Sequence, residues 1–339
     1  MSKGKVLVTG ASGYIAGFVV KALIADGWSV SGTIRSLAKA NAVRASLGLT
    51  AGQLPLTAAD LTLDAGWVAA ATGCDFVQHI ASPLPTGAIK SDDELIVPAR
   101  DGALRLLRAA KAAGVKRVVM TSSVAAMYYG MTGENRTYTE ADWSDLTSPA
   151  TNGYAKSKTI AERAARDWIA AEGGGMEYCT INPALVLGPV LGSDFSGSLA
   201  VVTKMLNGEL PGLPAISFGI CDVRDIAAAH VAAMTTPGID GERFLCSGET
   251  LAMADVAAIL KSRLADKAKR VPTMKLPNFL VRLSALFDPE IKLVIPELGR
   301  TRIGDARHAR ERLGWNPRPA AETIVDTARS LIAAGLVKA

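Results

Sequence analysis

Short β-branched runs alternate with longer stretches in which apolar residues recur every three or four positions. Lys5–Thr9 (KVLVT), Ser29–Ile34, Leu54–Ala58, Phe76–Ile80, Val118–Met120 and Tyr178–Ile181 read as strands. Between them, Ile15–Ala25, Leu37–Leu47, Asp92–Ala113 and Gly153–Glu172 read as helices, and Gly114 is placed to end the third of these as a cap glycine. Regular β–α alternation predicts parallel strands joined by crossover helices, an α/β doubly wound sheet of the Rossmann type.

After Asn182 the pattern breaks into short apolar pieces among Pro183, Pro189, Pro211 and Pro214. Helical spacing returns at Val223–Met234, followed by a short strand at Glu242–Cys246. Further helices are expected at Met253–Ala265, Asn278–Phe287, Asp305–Leu313 (with Asp305 as N-cap) and Ala321–Ala334. The expected organisation is a cofactor-binding domain over 1–182, to which 222–248 returns. Residues 183–221 and 249–339 then form most of a smaller, interleaved substrate lobe.

Composition narrows the function. The chain of 339 residues is 49% hydrophobic and 20% charged, which excludes wholesale disorder. Lys and Arg number 37 against 32 acidic residues, a net charge of +5, and the charges are interspersed. Nucleic-acid and membrane partners therefore gain no support. The N-terminus has no long apolar segment, and no stretch matches a membrane span, so a cytoplasmic location is expected. Four cysteines without a C-x-x-C pair and three scattered histidines argue against disulfides and a metal site.

Thr9–Gly17 (TGASGYIAG) falls between the first strand and the first helix. Gly10 permits the tight turn, and Gly13 lets backbone approach a pyrophosphate at the helix N-terminus. A plain turn capped by Ser12 is the rival. The second strand ends in Arg35 and Ser36, and no Asp or Glu lies between Asp26 and Asp60, whereas Arg35, Lys39 and Arg44 do. A basic end of this strand suits a 2′-phosphate, hence NADP rather than NAD. The alternative for Arg35 is a solvated charge at a helix start. Asp60 and Leu61 after the third strand are placed either to meet adenine or to cap a helix.

Thr121-Ser122-Ser123 follows the fifth strand, and Tyr154-Ala-Lys-Ser-Lys158 opens a predicted helix. Spacing of i, i+4 puts Tyr154 and Lys158 on one face, with Lys156 expected in solvent. An ammonium beside a phenol stabilises the phenolate left when the phenol gives its proton to a carbonyl oxygen. A serine hydroxyl at a strand end polarises the same oxygen.

These segments together resemble an extended short-chain dehydrogenase/reductase. Within that superfamily the chain is most similar to the dihydroflavonol reductase, cinnamoyl-CoA reductase and methylglyoxal (carbonyl) reductase group. The likeness also rests on HIASP (79–83), INPALVLGP (181–189) and CDVRDIAAAHV (221–231), and runs nearly end to end. It implies NADPH-dependent reduction of an aldehyde or ketone. Ser123 would orient the carbonyl, Tyr154 would donate the proton, and Lys158 would hold the nicotinamide ribose and tune Tyr154. Gly10, Ser12, Gly13, Tyr14 and Ile15 would cradle the pyrophosphate, and Arg35, with Lys39, would take the 2′-phosphate. Asp60 and Leu61 would flank adenine. Ala81, Ser82 and Pro83 would line the middle of the cofactor, and Pro183, Leu185 and Val186 would pack by the nicotinamide. The group's frequent relay asparagine is missing, and Arg105 falls in its neighbourhood.

Leu84, Met127, Tyr128, Phe195 and Ile216 in the variable segments suggest an apolar or aromatic small-molecule carbonyl, with core packing as the alternative for each. A monomer or homodimer is expected. Two other readings stay open. One is a sugar-nucleotide epimerase or dehydratase, gripping a diphosphate with Lys204, Arg300 and Arg302. The other is a regulator that senses NADP without turnover.

Overall fold

The computed structural model describes residues 2–83, 91–131, 135–192, 197–287, 291 and 294–338. The first half runs β1 (Lys5–Val8), α1 (Tyr14–Ala25), β2 (Ser29–Ile34), α2 (Ala40–Leu47), β3 (Leu56–Ala58), α3 (Trp67–Ala71), β4 (Phe76–His79), α4 (Asp93–Ala112), β5 (Arg117–Thr121), α5 (Ala125–Tyr128), β6 (Asn135–Tyr138), α6 (Gly153–Glu172) and β7 (Glu177–Pro183). There follow β8 (Leu185–Leu187), α7 (Ala200–Asn207), β9 (Ser217–Asp222), α8 (Val223–Thr235), β10 (Arg243–Cys246), β11 (Thr250–Ala252), α9 (Met253–Leu264), α10 (Asn278–Ser284), β12 (Thr301–Gly304), α11 (Arg307–Leu313) and α12 (Ala320–Ala333).

Seven strands form a parallel sheet in the order β10-β7-β5-β4-β1-β2-β3. Its strands are largely buried on both faces. One covering layer packs α1, α2 and α8 on the sheet through Val19, Val20, Leu23, Val43 and Ile226. The other packs α3, α4 and α6 through Trp67, Leu106, Leu107, Ala161 and Trp168. The order reverses between β1 and β4, so the loops leaving these two strands diverge and open a crevice at their carboxyl ends, where doubly wound sheets bind ligands.

A second apolar cluster lies beyond β7, built from α7, α9 and α12 around Leu199, Met205, Leu260, Ile324 and Leu331. It carries a three-stranded sheet, β11-β9-β8, and a β12-β6 pair lies nearby. These strands of three to six residues were absent from the sequence reading. Asp222 caps α8 by accepting from the Arg224 amide at 2.8 Å and pairs with its guanidinium. Arg224 also reaches Asp326 on α12, while Arg318 grips Asp225. Ion pairs thus tie the C-terminal helix to the returning α8.

Three local expectations need correction. Leu37–Leu47 is not one helix: a 3₁₀ turn at Leu37–Lys39 precedes α2. The N-cap of α11 is Ala306, although the Asp305 carboxylate does accept from the Arg307 amide at 3.0 Å. Lys156 is not simply solvated, since its Nζ lies 2.8 Å from Asp92 Oδ2. No helix of the described residues is long and apolar enough to cross a membrane.

Candidate active site

The glycine turn after β1 is held from both neighbouring strands. The Gly10 amide donates to Thr33 Oγ1 at 3.1 Å, and the Ala11 amide to the Thr33 carbonyl at 2.8 Å. Gly10 has φ +64°, and a Cβ there would sit 3.0 Å from the Ala81 Cα, so glycine is required twice over. Gly32 has the same role on β2, where a Cβ would come within 2.8 Å of the Ala11 methyl. Gly13 is the N-cap of α1 and no side chain caps the helix, Ser12 included. The first-turn amides of Tyr14 and Ile15 therefore remain for an anion, and a pyrophosphate fits this cradle. The Tyr14 side chain turns away. Its ring meets Phe18 edge-on, and its hydroxyl is buried without a partner.

Thr9, which the sequence reading passed over, locks the opposite wall. Its hydroxyl accepts from the Ile80 and Ala81 amides, both at 3.0 Å, and so gives its own proton to His79 Nδ1 at 3.0 Å. Ala81, Ser82 and Pro83 follow, each half-buried. Arg35 and Lys39 are exposed beyond β2, and Arg35 forms no ion pair among the described residues. Arg44 is committed elsewhere, with Nε donating to the Leu54 carbonyl at 3.0 Å. The Asp60 carboxylate accepts from the Thr62 amide at 2.8 Å and from its hydroxyl. These bonds, aided by Arg35, hold Asp60 below the usual carboxylate range. It caps a turn rather than a helix. Leu61 packs against Gly102, while its carbonyl accepts from Arg105, whose Nε lies 2.6 Å from Asp64. That pairing directs Arg105 toward the β3 loop and removes it as a substitute for the relay asparagine.

Ser123 leaves β5 on a loop fixed at three points. The Ser122 amide donates to the Ile181 carbonyl at 2.8 Å, the Val124 amide to the Pro183 carbonyl at 3.1 Å, and Asn182 Nδ2 to the Ser123 carbonyl at 3.3 Å. Ser123 Oγ accepts from the Ala125 amide at 3.1 Å, which leaves its own proton to donate. Asn152 caps α6 by accepting from the Ala155 amide at 2.9 Å, which sets Tyr154 in the first turn. Tyr154 is 41% exposed, whereas Lys158, one turn on, is 7% exposed with Nζ 3.5 Å from the Thr121 carbonyl at the end of β5. The helix thus brings its lysine to the strand that leads into Ser123.

Pro183 and Val186 are buried and Leu185 is half-buried, on the adjoining β7–β8 segment. The substrate-side expectations fare differently. Leu84 and Phe195 lie outside the described residues. Met127, 0% exposed, and Tyr128 pack with Tyr138 and Leu245 in a closed cluster, and Ile216 is buried in the second core. Their apolar side chains pack there in this structure. Tyr129, by contrast, lies near Tyr154. Its phenol is driven upward by burial and by the Glu297 carboxylate. The Arg302 guanidinium stands 4.5 Å from the Tyr129 ring centre and pairs with Glu297 at 2.8 Å. Arg302 is thus neutralised rather than offered to a diphosphate. No group of three or more His, Cys, Asp or Glu among the described residues is placed to hold a metal.

Residues 6–246 match the model of the NAD dependent epimerase/dehydratase family. An anthocyanidin reductase ((2S)-flavan-3-ol-forming) of Vitis vinifera is 31% identical over 311 residues, covering 87% of this chain and 88% of the relative. Cinnamoyl-CoA reductase 1 of Arabidopsis thaliana is 36% identical over 277 residues, covering 80% of this chain and 76% of the relative. The crystal structure of a yeast methylglyoxal/isovaleraldehyde reductase complexed with NADPH superposes with a TM-score of 0.83 at 26% identity. That match covers 98% of this chain and 100% of the other.

Proposed function

The chain belongs to the NAD dependent epimerase/dehydratase family, of the extended short-chain dehydrogenase/reductase type, and we propose that within it the protein reduces an aldehyde or ketone to the alcohol with NADPH. The observation that carries this reading is the meeting of α6 with the end of β5, where Lys158 Nζ reaches the Thr121 carbonyl two residues before Ser123. Relatives named for anthocyanidin, cinnamoyl-CoA and methylglyoxal or isovaleraldehyde support a small carbonyl substrate. The paired Arg302 speaks against the diphosphate grip that an epimerase needs. In this reading residues 1–182 with 222–248 bind the cofactor, and 183–221 with 249–339 form most of the substrate lobe.

NADPH supplies a hydride to the carbonyl carbon. The amides of Tyr14 and Ile15 would hold its pyrophosphate beside the Gly10–Gly13 turn, Arg35 and Lys39 its 2′-phosphate, and Lys158 its nicotinamide ribose. Ser123, already accepting from the Ala125 amide, donates its proton as a hydrogen bond to the carbonyl oxygen. Tyr154 delivers its phenolic proton to that oxygen as negative charge develops there. The Lys158 ammonium stabilises the phenolate left behind. Water, rather than Arg105, then returns the proton, because Arg105 is bound to Asp64 and the Leu61 carbonyl.

Product analysis tests the reaction: an aldehyde incubated with enzyme should leave as its alcohol, with one NADPH oxidised per molecule formed. Oxidised cofactor without alcohol opposes the reading. Cofactor choice is tested separately. Arg35→Ala should weaken NADPH binding by about ten- to a hundred-fold, the worth of one charged hydrogen bond, and leave NADH nearly unchanged. Equal losses for the two cofactors would take Arg35 out of phosphate recognition.

A further inference from the structure

The Glu162 carboxylate is 0% exposed, two helical turns beyond Tyr154 and one beyond Lys158 on α6. A buried carboxylate persists only when paired and hydrogen-bonded, and its partners here are specific. Ser122, next to Ser123, donates its hydroxyl to Oε2. Asn182 Nδ2 donates to the same oxygen at 2.8 Å and also reaches the Ser123 carbonyl at 3.3 Å. Thr180 turns its hydroxyl to Asn182 Oδ1 at 2.8 Å, which fixes the Asn182 amide with its NH₂ toward Glu162. Arg243 on β10 closes the other oxygen with Nε at 2.5 Å. Its Nη1 holds the carbonyls of Glu140 and Asp142, each at 2.7 Å, and its guanidinium lies 3.7 Å from the Trp143 ring centre. From that same segment, Ser144 Oγ accepts from the Tyr129 amide and donates to the Ala125 carbonyl, both at 2.8 Å.

One carboxylate therefore joins the helix bearing Tyr154 and Lys158 to both sides of the Ser123 loop. We infer that Glu162, with Arg243 as its counter-charge, is a positioning residue that sets Ser123 relative to Tyr154 through Ser122 and Asn182. It touches no substrate atom itself. The inference rests on the reductase reading, since it assigns Glu162 a part in placing Ser123 for that reaction. Without the negative charge, Ser122 and Asn182 have no common acceptor, and the serine hydroxyl drifts from the carbonyl oxygen. Such a shift costs turnover rather than binding, because the cofactor cradle lies across the crevice.

The test is a double-mutant cycle on the full-length enzyme, measuring turnover, KM for the carbonyl and NADPH affinity. Ser123→Ala should lower turnover about a hundred-fold. Glu162→Gln, nearly isosteric, should lower it about tenfold with KM and NADPH affinity unchanged. In the Ser123→Ala background the same substitution should cost less than about twofold, because the group that Glu162 places is already gone. An equal loss in both backgrounds, or full turnover in Glu162→Gln, overturns the positioning role while the reductase reading stands. Unchanged turnover in Ser123→Ala removes Ser123 from the reaction and the positioning role with it, whereas a parent enzyme that turns over no carbonyl overturns the reductase reading itself. If Glu162→Gln does not fold, Ser122→Ala enters the same cycle with the same expected pattern.

Discussion

Replacing Tyr154 by phenylalanine should lower turnover by roughly 10²–10⁴-fold, the range associated with losing a positioned general acid. The substitution removes one oxygen from a side chain that is 41% exposed at the first turn of α6. No hydrogen bond within the described residues depends on that oxygen, so folding should be untouched. NADPH affinity should change little, because the pyrophosphate cradle and Arg35 are distant in the fold. Turnover equal to the parent would remove Tyr154 from proton transfer. An equal fall in NADPH affinity would make it a cofactor residue instead.

The second large effect is on stability. His79 and His230 are buried, and burial pushes both rings down to about 3, aided at His79 by the Lys158 ammonium. His230 donates from Nδ1 to Gln78 Oε1 at 2.8 Å and accepts at Nε2 from Thr121, 2.9 Å away. The tautomer follows from Gln78, whose Nε2 is engaged with the His230 carbonyl at 2.9 Å. The unfolded chain takes up these two protons near pH 6.5, and the folded chain refuses them until about pH 3. Their contribution is therefore complete above pH 6.5 and falls away as the pH drops toward 3. By pH 5 each should have cost about 2 kcal/mol, or about 4 kcal/mol for the pair. Carboxylates such as Asp60 and Asp75 are held below their ordinary range, so their losses come at lower pH. The urea midpoint should fall clearly between pH 7.5 and pH 5, with about half the fall in His230→Gln. A midpoint unchanged over that interval would mean that the two rings accept protons in the folded state.

Local signals carried most of the architecture. The strand-glycine-helix run at Lys5–Ala25 and the Tyr154–Lys158 spacing each depend on neighbours within one element, so they are visible in sequence. The Glu162–Arg243 pair spans 81 residues, and neither side chain differs in sequence from a solvated surface charge. Thr9 is equally silent, since its two amide partners lie more than seventy residues away. Met127 and Tyr128 are ambiguous in sequence because apolar residues after a strand-end loop suit a pocket and a core equally well. In the structure both pack with Tyr138 and Leu245, residues distant in sequence. The strands β8 and β11 are three residues each, too short for a period to register.

The most direct measurement is cofactor oxidation, followed by absorbance, across a panel of aromatic and aliphatic aldehydes, diketones, a β-keto ester and a UDP-sugar, with NADH in parallel. Rapid oxidation of NADPH with the carbonyls, and little with NADH, is the expected result. Silence on every carbonyl, with the UDP-sugar converted and no net change in cofactor, would contradict the account and make the protein an epimerase or dehydratase.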